Sequence, residues 1–333
     1  MFAEPMKLPV LSLVAAVLCL TGGTGGAVSV TDLYEVTLPI EQSRETAFVD
    51  ALRSVAVRVS GRRDAASRLA AAANTPRQFV QSFSFTSDNQ LQVAFDSGSV
   101  DRLLNESGLP IWGRERPATL VLLGVQGADG SINWLDASYP SAERDAMTRV
   151  ARLRGVPLAW PSLAPDDRSL LAATTDPTSP DLKPLMARSS ANAVLLGRAR
   201  RDGAGALVVQ WSLASDDGTP TVSGSIDEGV HLAADTFSRL YAASGGSLGA
   251  ISVEVAGIRN LDDYAATLNY LEGMTLVRSV ALEQVVGDTM RFQLAIRGDA
   301  TTLRRALALD SKLVPSATEG AGPSERLQLR VNR

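Results

Sequence analysis

Thiols, imidazoles and amines are nearly missing from this 333-residue chain, which has one cysteine, Cys19, one histidine, His231, and only Lys7, Lys183 and Lys312 as lysines. Each scarcity removes a chemistry. A lone histidine rules out a histidine-based metal cluster within one chain. A serine triad would have to use His231 as its base, and no G-x-S-x-G elbow is present to serve it; Ser223-Gly224-Ser225 lacks the spacing. The phosphate-loop pattern G-x-x-x-x-G-K-[ST] is also missing, and Gly203-Ala204-Gly205 falls in an expected hairpin rather than between a strand and a helix. With a net charge of -4 the chain lacks the basic balance of a dedicated nucleic-acid binder. These absences lead to an expectation of no catalytic residues, no metal and no cofactor.

Long apolar runs are scarce as well. The one such run, Leu8–Leu20, follows Lys7 and precedes small residues ending at Gly25 and Ala27. It is short of the roughly 20 residues that a spanning helix needs. The pattern is that of an export signal over residues 1–27, with cleavage between Ala27 and Val28; the alternative is an N-terminal membrane anchor. Cys19 lies inside the apolar run and would leave with it. Leu18 stands where a lipidated cysteine would need a small residue, which argues against a lipoprotein. The expected mature protein is periplasmic, with no thiol, no disulfide and no membrane span.

What is present is strand and helix patterning in three segments. In residues 28–116, Tyr34, Val36 and Leu38 alternate as a half-buried strand. Ser43 is placed to cap a helix on which Ala47, Phe48, Ala51, Leu52, Val55, Ala56 and Val59 share a face. An alanine-rich second helix is expected over 65–80, broken near Pro76. A hairpin through Ser87-Asp88-Asn89 and a short helix over 100–106 follow, giving β-α-α-β-β-α. In residues 117–244, the uniformly apolar stretch 119–125 marks a strand covered on both faces. Helices are expected over 142–153, 182–191 and 230–241, strands over 156–160, 193–198, 207–214 and 221–226, and loop over 161–180. A Gly/Ser linker at 244–249 leads to residues 250–333. Their order is β-α-β-β-α-β, with a cap at Asn260 and a Gly287-Asp288 turn, the split-βαβ pattern. The expected fold class is α+β: three small mixed α/β domains, the last ferredoxin-like.

The pairs Asp166-Asp167, Asp216-Asp217, Asp227-Glu228 and Asp262-Asp263 fall in turns or at helix starts, where carboxylates cap backbone amides. His231, at the start of its expected helix, has a capping or exposed role. Trp112 and Trp134 lie in connecting stretches, where an aromatic either anchors a partner or closes a domain junction.

The stretches Leu33–Pro39, Ala51–Gly61, Pro76–Val80, Val93–Asp96, Leu109–Gly113 and Arg116-Pro117, followed by Ala193–Arg198, Gly257–Tyr264 and Tyr270-Leu271, resemble domain-of-unknown-function family 2066, exported proteobacterial proteins without an assigned activity. At the level of shape, the first segment is similar to the N-terminal domain of a flagellar basal-body ring protein. The middle one is similar to α/β domains of outer-membrane secretion and cell-wall-synthase activator proteins. Those resemblances imply binding and scaffolding. The expected function is a periplasmic, non-enzymatic accessory or assembly factor with envelope proteins as partners. A carboxylate-based hydrolase and a soluble small-ligand carrier are the alternatives.

Overall fold

The computed structural model describes residues 28–69, 74–244, 248–316 and 326–332. The expected export signal with Cys19, its cleavage residue Ala27, residues 245–247 of the expected linker and most of the Gly/Pro/Ser-rich stretch near the C-terminus lie outside the described residues. The protein is α+β, with three units that each build a core on their own sheet.

The N-terminal unit contains β1 (Val28–Ser29), β2 (Glu35–Pro39), α1 (Arg44–Ser60), α2 (Ala65–Arg68), β3 (Val80–Phe85), β4 (Gln90–Phe95) and α3 (Ser97–Glu106). A short β5 (Glu115–Arg116) returns to pair antiparallel with β1. The main sheet has the order β2-β4-β3. Ser43 and Thr46 form a reciprocal cap on α1, and every residue expected on its inner face is buried. The second helix is interrupted, as expected, but it ends well before Pro76. It stops after Arg68, and Pro76 opens a separate 3-10 turn over Pro76–Phe79, because proline disfavours helical backbone in the residue before it.

The middle unit runs β6 (Thr119–Gln126), β7 (Ile132–Trp134), α4 (Ala142–Arg154), β8 (Leu158–Ala159), α5 (Pro165–Ala173), α6 (Lys183–Arg188), β9 (Ala193–Arg201), β10 (Leu207–Leu213), β11 (Thr221–Gly224) and α7 (Asp227–Tyr241). Its sheet has the order β11-β10-β9-β6-β7, with β8 also against β6. β6 and β9 run parallel, and both are buried on both faces. Met147 of α4 and Val230, Ala233 and Phe237 of α7 cover one face; Leu171 of α5 and Leu185 of α6 cover the other. Two elements differ from expectation. The stretch expected as loop contains α5, with Pro165 at its first turn, and Trp134 is the end of a strand. Gly197 of β9 and Gly229 of α7 leave the slot that the buried Trp211 fills, since a Cβ at either would run into its ring.

The C-terminal unit has β12 (Leu248–Ala256), α8 (Leu261–Gly273), β13 (Val277–Val286), β14 (Thr289–Arg297), α9 (Ala300–Ala308), β15 (Leu313–Pro315) and β16 (Arg326–Val331). Asn260 caps α8 as expected. β12 and β13 both run antiparallel to β14, which lies between them, and this is the split-βαβ arrangement. The sheet order β13-β14-β12-β16-β15 extends that plan. β16 inserts parallel to β12, and β15 lies outside it. β12 begins inside the expected linker, at Leu248.

Candidate functional site

The units meet around three buried arginines. Arg116 is fully buried and makes no ion pair among the described residues. Its Nε donates to the Gly113 carbonyl (2.8 Å), Nη1 to those of Arg154 (3.3 Å) and Gly155 (2.8 Å), and Nη2 to those of Arg58 (2.9 Å) and Trp112 (2.8 Å). All five guanidinium N–H donors therefore have a carbonyl. The reason lies in the helices. α1 ends at Gly61 and α4 at Gly155, both left-handed, and Arg116 bonds the last-turn carbonyls of both. One cation thus serves the negative ends of two helix dipoles from two units. The guanidinium also lies 3.8 Å over the Trp112 ring. Burial, and then the neighbouring charge of Arg58, lower the Arg116 pKa.

Arg58 and Arg154 extend this joint. Arg58 Nη1 donates to the carbonyls of Asp32 (2.9 Å) and Glu35 (2.6 Å). Arg154 crosses from the middle unit to the Gly61 carbonyl (2.8 Å), and it pairs with Asp235 at 2.6 Å. Its Nη1 lies 2.7 Å from His231 Nδ1. Arginine is only a donor, so that imidazole nitrogen must accept and carry no proton. Because α7 begins three residues earlier than the sequence suggests, His231 sits in its second turn, half-buried, and neither caps the helix nor stands free. Burial, and then the charges of Arg63 and Arg154, hold its pKa below 6.5, against Glu228 and Asp235.

Beside the joint opens a cleft of about 660 Å³ lined by residues that include Arg62, Arg63, Asp235, Ser238 and Arg239. Its positive charge is largely compensated. Arg62 pairs with Asp64 at 2.9 Å, and Arg63 reaches Asp235 at 3.1 Å and Glu228 at 3.4 Å. The Arg62 hydrogen bond holds the Asp64 carboxyl down at about 2.

The acidic pairs are not brought together. Asp167 accepts from the Ala164 amide at the start of α5 and pairs with Arg188, and Asp217 pairs with Arg305. Glu228 faces Arg63, while Asp263 lies in the first turn of α8 and accepts from the Arg259 amide. Each carboxylate with a clear pKa displacement among the described residues is displaced downwards. No group of three or more metal-binding side chains occurs among the described residues. Trp112 closes the junction and Trp134 lies buried under Arg198, 4.9 Å from its guanidinium. Sequence reasoning passed over Arg58, Arg116 and Arg154. The one available signal was arginine in the last turn of two glycine-terminated helices.

A family model described as Domain of unknown function (DUF8605) matches residues 27–113. That is the N-terminal unit up to the turn after Trp112. It is a different family from the one the motifs resemble, and the resemblance to family 2066 is corrected accordingly. The quoted motifs are mostly core positions, such as Leu33, Val36, Leu52 and Val59, which report the packing of a βαα unit rather than its lineage. No curated protein and no solved structure matches the chain, so the likenesses of shape carry no further argument.

Proposed function

We propose that this protein is an exported accessory or assembly factor of the cell envelope that acts through protein contacts rather than catalysis. The observation that carries this reading is the outer strand of the C-terminal sheet. β13 is ten residues long, stands at the sheet edge and leaves Leu282, Val285 and Val286 44%, 52% and 61% exposed. A long apolar edge strand is a template for a partner, and a protein that keeps one has a use for it or risks aggregation. The downward displacement of the carboxylates supports the same reading, because a general acid needs a pKa raised towards neutrality. Among the described residues no helix is long and apolar enough to cross a membrane.

The test is crosslinking in intact cells followed by recovery of the full-length protein. Envelope proteins should be captured by the wild type and lost with Val286→Lys, which places a charge on an exposed position. Native protein recovered from the cytosol with Met1 intact would end the proposal.

A further inference from the structure

On the face of the middle sheet that carries α5 and α6, the helices cover only the half nearest the start of β6 and β9. Leu120, Leu122, Val194 and Leu196 lie beneath them. The half at the carboxyl ends of the two parallel strands is an open groove of about 380 Å³. That is where ligands characteristically bind on parallel sheets with helices on their faces. The strand register builds its floor. Trp134, Gly124, Arg198, Gln210 and Ser223 form one row across five strands. Gln126, Arg200 and Val208 lie in the row beyond, with Ile132 beside Gln126.

The charge of this groove is one-sided. Arg198 and Arg200 line it, and no Asp or Glu is among the described residues that do. Neither arginine makes an ion pair among the described residues, in a chain whose net charge is -4. The carboxylates of the two adjoining turns are occupied. Asp129 accepts from the Ser131 amide and hydroxyl, and Asp202 from the amides of Ala204 and Ala206. Arg198 is fixed in place, packed over Trp134 and donating to the Leu171 and Thr174 carbonyls at the end of α5. Arg200 is exposed.

We infer that this groove binds an extended acidic peptide, with Arg198 and Arg200 receiving carboxylates on alternate residues. Two residues along β9 separate the arginines by about 6.6 Å, which is also the spacing of same-side residues on an extended chain. Arginine matches a carboxylate with paired N–H donors. Gln126, Gln210 and Ser223 supply neutral donors and acceptors for a peptide backbone, and Ile132, 37% exposed, gives an apolar contact at the rim. Gly124 has its own part in this. A Cβ there would run into Ile132 and press on Trp134, so the glycine leaves room for the aromatic ring beneath Arg198.

The test uses fluorescence anisotropy on the full-length protein, with a labelled peptide carrying glutamate at every second position and its glutamine counterpart. The glutamate peptide should bind at least about tenfold more tightly, and Arg200→Ala should remove about tenfold of that affinity, the range for a charge-assisted hydrogen bond. Arg200→Lys should recover part of it, and added salt should weaken it. Equal binding of the two peptides, no binding of either, or an unchanged Arg200→Ala would overturn the assignment. So would complete displacement by millimolar inorganic phosphate, which would make the groove a small-anion site. The β13 surface is separate: Val286→Lys should leave peptide binding intact, so this assignment and the envelope-partner reading fail independently.

Discussion

Gly155 follows α4 with φ +65°, and a side chain there would run into the Arg116 guanidinium. Backbone strain and steric conflict therefore coincide at one atom, and Gly155→Ala should destabilise by about 2 kcal/mol or more, measured by chemical unfolding. Arg116→Lys removes the planar fork and leaves several buried carbonyls without donors; it should cost about 3 kcal/mol or more, although charge is conserved. His231 gives a pH signature. Its folded pKa lies below 6.5 because burial, and then Arg63 and Arg154, oppose the charged form. The unfolded chain thus takes up a proton that the folded chain refuses. Stability should be highest above about pH 6.5 and fall as pH drops through the lower folded value. His231→Asn, whose side-chain oxygen can stand in for Nδ1, should flatten the melting temperature between pH 7 and pH 5. An unchanged slope would show that the acceptor at Arg154 is not what titrates.

The elements legible in the sequence are those with a strong local signal. α1 was readable because a capping serine precedes seven apolar positions on one face, and every one of them is buried. The hairpin of β13 and β14 was readable from alternation on either side of Gly287-Asp288. α5 was not, because its start is crowded with Pro165, Asp166 and Asp167, which also describe a turn. β7 and β15 were missed because three residues carry no period; only pairing with β6 and β16 makes them strands. The groove arginines were invisible for a related reason, since their neighbours across the sheet come from register, which no single segment contains. At this scale Ser43→Ala should remove the cap on α1 and cost about 1 kcal/mol. Trp211→Ala should cost about 3–5 kcal/mol, because Gly197 and Gly229 cannot fill the slot it leaves.

Across the whole molecule, Asp101 ties the first unit to the last. Its Oδ1 accepts from the Tyr34 hydroxyl at 2.7 Å and its Oδ2 from Arg297 at 2.8 Å, and Thr275 bonds Glu115 at 3.1 Å and Arg114 at 3.0 Å. With the arginine joint linking the first two units, the wild-type protein should melt in one calorimetric transition. Asp101→Ala leaves Arg297 buried without its carboxylate and should split off an earlier transition for the C-terminal unit. A single unchanged transition in that variant would mean that apolar contacts carry the coupling.

The antiparallel bridge between Ile111 and Ala243, with amide-to-carbonyl distances of 2.8 and 2.9 Å in the two directions, has a consequence for engineering. It brings the chain shortly before β5 and the middle unit against the chain just after α7. Such a pair of backbones lies about 5.5 Å apart. The middle unit therefore has the connectivity of a cassette, inserted into a two-unit frame whose own halves already touch through Asp101 and Arg297. A turn of about two residues would close Ile111 and Ala243 as a hairpin, and other cassettes with adjacent ends could be carried on the same frame.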